Sequence, residues 1–283
     1  MRADYHVHTS FSDDSVYAME DVVRDAVKNG LDEICFTDHV DYSVKRDRDD
    51  ERGIEYRKGG KGESDLIPLQ NVDYDAYYSE YLRVKEEYAS KIRLRLGLEC
   101  GVQSHTVGDY LALFPRYPFD FIILSIHQVG DREFWNGEYQ KGRTQRQYNE
   151  GYYEEMLKVM KEYRAYSVLG HLDLITRYDS MGRYPFVKIK PLVTEILGTA
   201  IADGKGIEIN TSSRRYGLDD TTPSRDILKL YRELGGEIIT IGSDSHKREH
   251  LGAYIDESKD LLRALGYRYF CTFEKMKPIF NPL

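Results

Sequence analysis

Three cysteines in 283 residues, Cys35, Cys100 and Cys271, form no CxxC pair and are odd in number. They argue against a disulfide framework and favour a reducing, cytoplasmic setting. No apolar run is long enough to span a membrane, and "MRADYH" at the start holds no apolar signal region. Positive charge is in deficit: 40 basic residues face 48 acidic ones, a formal charge of −8. That balance speaks against a broad nucleic-acid surface, while leaving room for a local basic pocket for a phosphate. There is no GxSxG nucleophile elbow, and no cysteine has an arginine six positions on. "GGKGES" (59–64) shares only its glycines with a phosphate-cradling loop and reads as a flexible segment. With these nucleophiles excluded, metal-activated water is the remaining source of hydrolytic chemistry.

What the chain does hold is a repeated strand–helix rhythm. Strands are expected near Ala3–His8, Glu33–Thr37, Arg93–Glu99, Phe119–Ser125, Ser167–Gly170, Gly206–Asn210 and Glu237–Gly242. Helical patterns run between them. "MEDVVRDAVKNG" gathers Val22, Val23, Ala26 and Val27 on one side and stops at Gly30. In "TPSRDILKLYRELGG", Thr222 is the expected N-cap and Pro223 the first helical residue. Seven such units predict an α/β fold, a distorted (β/α)7 TIM-like barrel, with an open doubly wound sheet as the alternative. The expected organisation is a single domain over 1–283 with loop insertions at about 41–72 and 130–146. The first insertion reads as a solvated loop, with a lid over the site as its functional alternative. The 24 tyrosines are expected at the rim of the core.

The metal-loving residues fall in a pattern. His6 and His8 are two apart on a strand and so point to one side. His39 follows the second strand, Glu99 ends the third, His127 follows the fourth, His171 the fifth, and Asp244 and His246 the seventh. In a parallel barrel these carboxyl ends share one face, where active sites are built. Six of the eight histidines belong to this set; His105 and His250 fall outside it and are expected to serve structure or solvent. Burying so many imidazoles and carboxylates together is costly without compensation, and two or three divalent cations would supply it. The nitrogen and oxygen donors suit zinc, iron or manganese, and the absence of thiolates weakens the case for a closed structural zinc site.

In this order, "HVH", "TDH", "GLE", "SIH", "GH" and "GSDSH" resemble the polymerase-and-histidinol-phosphatase (PHP) family, from the first strand to about His246. "HTSFSDDS", "TDHVDY" and "EINTSSRRYG" look most like its histidinol-phosphate phosphatase branch. The resemblance implies a trinuclear metal site. His6, His8, Glu99 and Asp244 would hold one ion; Glu99, His127 and His171 a second; Asp14, His39 and His246 a third. Asp13 is the alternative to Asp14, and since the two are adjacent only one should ligate. Glu99, Asp244 and His246 are the expected catalytic residues. Arg215 is the expected binder of the substrate phosphate, because its planar fork suits phosphate oxygens, with Arg214 as fallback. Lys141, Arg143 and Arg146 are further options in the second insertion. The implied reaction is hydrolysis of a small phosphate monoester, with L-histidinol phosphate first and another phosphorylated metabolite or nucleotide as the rival substrate. A structural module and an amidohydrolase with a lysine bridge are more distant alternatives.

Overall fold

A computed structural model describes residues 1–58 and 66–283. "GGKGES" therefore lies outside the described residues, as does part of the first insertion. Seven parallel strands build the barrel: β1 (Ala3–Val7), β2 (Glu33–Phe36), β3 (Arg93–Gly101), β4 (Phe121–Ser125), β5 (Val168–Leu169), β6 (Gly206–Asn210) and β7 (Ile239–Gly242). They pair in chain order, each with the next. Registers run Ala3↔Glu33, Glu33↔Arg93, Gly97↔Phe121, Val168↔Ile123, Val168↔Gly206 and Ile207↔Ile239. A bridge between Val7 and Ser245 closes the ring at its carboxyl end. Two backbone bonds make that closure, His8 N–H to Ser245 O at 2.9 Å and Ser245 N–H to His6 O at 3.2 Å. The barrel is thus nearly closed, and the open-sheet alternative falls.

The expected strands appear within a few residues of their expected limits. Their run-on apolar character follows from burial on both faces, as in "FIILS", where every residue is buried. The helix Met19–Lys28 buries Met19, Val22, Val23 and Ala26 and stops at Gly30, whose φ of +70° an L-residue rarely adopts. The helix Gln145–Glu162 starts earlier than its apolar pattern, because Thr144 and Gln147 form a reciprocal capping box.

Three expectations need correction. The Thr222 cap does not form. Thr222 O accepts instead from Asn210 N–H at 2.7 Å, Ser224 is the cap residue, and the helix runs Arg225–Glu233. The tyrosines are not confined to a rim. Tyr5, Tyr77, Tyr110, Tyr152, Tyr153, Tyr163, Tyr166 and Tyr231 are fully buried, and several donate to backbone carbonyls, Tyr77 to Gly97 at 2.9 Å and Tyr110 to Val40 at 2.8 Å. The described parts of the insertions are not plain loops. Glu55–Lys58 pairs with Leu66–Leu69, and Gln128–Val129 with Arg132–Glu133, as antiparallel hairpins.

A C-terminal hairpin, Tyr269–Glu274 with Lys277–Pro282, had no counterpart in the expected elements. It covers the amino end of the barrel, where Phe273 packs on Phe121 at 5.0 Å and its N–H donates to the Tyr5 hydroxyl at 2.7 Å. The helices Val107–Leu113 and Ile255–Ala264 were likewise not foreseen.

Candidate metal centre

His6 and His8 leave β1 on the same side, with ring centroids 5.0 Å apart. His8 packs against both His39 at 4.2 Å and His246 at 4.0 Å, which are themselves 5.7 Å apart. Glu99, buried on β3, is the hub. Its Oε2 lies 3.0 Å from His6 Nε2, 3.4 Å from His8 Nε2 and 3.2 Å from His39 Nδ1. Its Oε1 lies 2.6 Å from His171 Nε2, 3.1 Å from His127 Nε2 and 2.7 Å from the Ser125 hydroxyl. Asp244 stands 3.8 Å from His6, 3.6 Å from His8 and 3.5 Å from His246. Its backbone φ of 55° is unusual for a non-glycine residue, and such conformations concentrate at functional sites.

All nine expected ligands therefore meet in one volume. Asp14 and Asp13 separate as adjacent residues should. Asp14 faces His246 at 3.2 Å and His39 at 3.5 Å, whereas Asp13 is buried against Lys45 at 2.7 Å. Three overlapping groups have donor atoms close enough to share an ion: His6, His8 and Asp244; His8, His39 and His246; His39, Glu99 and His127. The first holds three of the four residues of the expected first set, without Glu99. The other two differ from the expected partition, since His8 takes the place of Asp14 and His39 that of His171.

Electrostatics fit a cation centre. Burial would raise Glu99, but His6, His127 and His39 hold it well below the usual carboxylate range. The same balance keeps Asp244 low, with burial opposed by His6, His8 and His246. Burial, reinforced by His246 and His39, pushes His8 well down, leaving it in the neutral form that ligates. Burial would lower His127, yet Asp41 and Glu99 push it up to about 10. Among the described residues, the buried His8 Nε2, His39 Nδ1 and His171 Nδ1 have no hydrogen-bond partner. Orphaned buried nitrogens are costly, and imidazole and carboxylate donors without thiolates suit divalent ions. The residues present thus fit divalent metal.

Several site residues escaped the sequence reading. Glu208, on β6, holds His6 Nδ1 at 2.5 Å and accepts the His171 backbone N–H at 2.9 Å. Asp41 holds His127 Nδ1 at 2.7 Å. Both belong to metal-site geometry, in which a carboxylate fixes the far ring nitrogen and so the tautomer. The two-apart rule applied to His6 and His8 would have found Asp41, two residues past His39; Glu208 had no expected ligand beside it on β6 to point to it. Two glycines make room. A Cβ on Gly242 would sit 2.3 Å from His6 Cβ, and one on Gly101 1.9 Å from Asp41 Oδ1.

A cavity of about 360 Å³ opens over the cluster, lined on one side by Arg177, Arg215 and Tyr216 and on another by Arg57, Glu133 and Trp135. Arg215 donates to Ser243 O at 2.6 Å and to Asp244 O, and lies 3.8 Å from the Asp244 carboxylate. Arg177, not anticipated, is more deeply buried, donates to the Ser212 hydroxyl at 2.6 Å and stacks on Tyr216 at 4.0 Å. Arg214, the fallback, is exposed and stacks on Tyr254. Arg143 packs on Tyr139, Arg146 pairs with Glu150, and neither these nor Lys141 line the cavity. His250 does line it, so its assignment to structure or solvent alone is corrected. His105 is surface-bound, paired with Asp131.

The PHP domain pattern matches residues 4–212. The chain is 30% identical to a histidinol-phosphatase of Lactococcus lactis subsp. lactis strain IL1403, over 98% of this chain and 96% of that one. A crystal structure of a Lactococcus lactis histidinol phosphate phosphatase, complexed with zinc, L-histidinol and phosphate, superposes with a TM-score of 0.79 at 29% identity, covering 98% of both chains. A Listeria monocytogenes structure shares the fold, with a TM-score of 0.64 at 20% identity over 89% of this chain and 98% of that one.

Proposed function

The chain belongs to the PHP domain family, and from that premise we propose that it is a metal-dependent histidinol-phosphatase. It would cleave L-histidinol phosphate with water to L-histidinol and phosphate, a step of histidine biosynthesis. The observation that carries this reading is one cavity that joins a buried imidazole–carboxylate cluster to the guanidinium groups of Arg57, Arg177 and Arg215. The full-length likeness to a protein that binds zinc, histidinol and phosphate narrows the substrate. No helix among the described residues is long and apolar enough to cross a membrane. Three unpaired, buried cysteines accord with a cytoplasmic enzyme.

Three ions, of zinc, iron or manganese, are the proposed complement. His6, His8, Glu99 and Asp244 would hold one, Glu99, His127 and His171 another, and Asp14, His39 and His246 the third, with His8 and His39 near enough to be shared. Bound divalent ions supply Lewis acidity toward the phosphoryl oxygens and a nucleophilic water at neutral pH. The side chains do the rest. Glu208 and Asp41 hold His6 and His127 by their Nδ1 atoms, turning each Nε2 inward. Arg215 and Arg177 present fixed positive charge to the phosphoryl group, and their anchoring to backbone and Ser212 means that little reorganisation accompanies charge build-up. Tyr216, stacked on Arg177 at 4.0 Å, helps hold that guanidinium plane in place.

The test is phosphate release from L-histidinol phosphate by purified protein, compared with a panel of nucleotide and sugar monophosphates. Turnover that disappears with chelator and returns with manganese supports the reading. Equal or faster turnover of another monoester would move the substrate assignment, and no phosphoester turnover by metal-loaded protein would end it.

A further inference from the structure

Lys45 is a buried ammonium held by two buried carboxylates. Its Nζ is 2.7 Å from Asp13 Oδ1 and 2.9 Å from Asp41 Oδ2. All three side chains are less than a tenth exposed. Each carboxylate leads to a different part of the metal cluster. Asp13 precedes Asp14, which faces His39 and His246. Asp41 continues through its other oxygen to His127 Nδ1 at 2.7 Å, and His127 Nε2 reaches Glu99 at 3.1 Å.

Neither carboxylate has much freedom. The Asp41 backbone N–H donates to Asn71 Oδ1 at 2.8 Å, its carbonyl accepts from Lys45 N–H at 2.8 Å, and Gly101 leaves no space behind its carboxylate. The Lys45 main chain and side chain therefore both return to Asp41. Without the ammonium, Asp13 and Asp41 would be buried anions with too little compensation, and a buried charge deprived of its partner must move, take up a proton or admit water. Arg57 is the other cation near Asp13, but at 3.8 Å it lies beyond hydrogen-bond reach.

We propose that Lys45 is a positioning residue for the metal centre: one ammonium fixes Asp41, which sets the His127 ring, and Asp13, which sets the loop that presents Asp14. The inference rests on the metal-centre reading above and adds to it a residue that would contact no ion itself. It makes the ligands at the two ends of the cluster depend on a single side chain.

The experiment measures ions bound per chain by elemental analysis, and zinc or manganese affinity by chelator competition, in wild type, Lys45→Met, Lys45→Arg and Asp13→Asn. Lys45→Met is expected to bind metal about 10–100-fold more weakly, the size of effect typical of residues behind metal ligands, and to lose bound ions. Lys45→Arg, which keeps the cation, should restore most of the affinity. Asp13→Asn, which keeps the Lys45–Asp41–His127 line, should weaken fewer of the ions, and it carries the test if Lys45→Met does not fold. Wild-type ion number and affinity in Lys45→Met, or in Asp13→Asn where that variant stands in, would overturn the proposal. So would a rise in KM alone, which would make Lys45 a substrate contact. A wild-type protein that binds no divalent ions would instead defeat the metal-centre reading itself, before any variant is compared.

Discussion

His6 Nδ1 and Glu208 Oε1 stand 2.5 Å apart although 202 residues separate them in the chain. The pair spans β1 and β6 across β7, at the point where Gly242 has no side chain to intervene. Burial would lower His6, but Glu208, Glu99 and Asp244 hold its protonated form well above the usual imidazole range. With Nδ1–H committed to Glu208, Nε2 is the atom turned toward Glu99 at 3.0 Å and Asp244 at 3.8 Å, and it is the nitrogen that would exchange its proton for an ion. Glu208→Gln should keep the shape and lose the charge, weakening metal binding about 10–100-fold. Competition with a chromogenic chelator measures it, and wild-type affinity would exclude a role for Glu208 in orienting His6.

Glu99 approaches five imidazoles, and no single neighbour could replace it. Glu99→Gln is expected to reduce phosphate release to the level of chelator-treated wild type, with the far-ultraviolet circular dichroism unchanged. His105→Ala, on the surface beside Asp131, is expected to retain wild-type turnover. Comparable losses in both variants would show that the barrel fails as a whole rather than at its centre.

Arg177 and Arg215, on the same side of the cavity, should behave alike toward phosphate and differently toward Asp244. Arg177→Met and Arg215→Met are each expected to lower kcat/KM by about 100-fold, the scale of losing one preorganised donor to developing charge. Arg215 also binds the Ser243 and Asp244 carbonyls, so its loss should weaken metal affinity as well. Arg214→Ala, exposed on Tyr254, is the comparison and should leave steady-state kinetics unchanged.

The loop carrying His246 is fastened to the first helix by Arg248, which binds Asp25 at 2.6 and 2.8 Å. Arg248, aided by the Tyr17 hydroxyl and against burial, holds Asp25 below its ordinary value. A carboxylate depressed in this way adds stability above its unfolded value of about 3.9 and loses it as pH falls through the folded value. Arg248→Met should therefore melt below wild type at pH 7, with the gap narrowing as the buffer is taken toward pH 3. A gap that does not change with pH would show that packing rather than charge fastens the loop.

The barrel was legible because its strands announce themselves: "EICF" and "FIILS" are rich in β-branched and aromatic residues and buried throughout. The convergence of ligands was legible because parallel strands put their carboxyl ends on one face. Asp41 was readable in principle, since it lies two residues past His39; Glu208 was not, because no site residue was expected beside it on β6. Arg177 was not, because it lies in a 3-10 turn, Leu174–Tyr178, whose direction no strand period fixes. The C-terminal hairpin was obscured for another reason. Its inner face is covered by the barrel's amino end, so "YFCTFE" is buried at four consecutive positions and shows no alternation, while Pro278 and Pro282 mark its partner as an edge strand.

Among the described residues, the ring of strands is joined at its last seam by two backbone-to-backbone bonds, His8 to Ser245 and Ser245 to His6, beside the Asp4 carboxylate that accepts the Ser243 N–H, and both backbone bonds join segments that carry cluster side chains. Ions seated between His6, His8 and Asp244 would act as a rivet through that seam. Stripping them should unzip β1 from β7 first, so that the amides of His8 and Ser245 exchange with solvent ahead of the interior of β3 and β4. Protein starved of metal would then lose the integrity of its wall along with its reactivity.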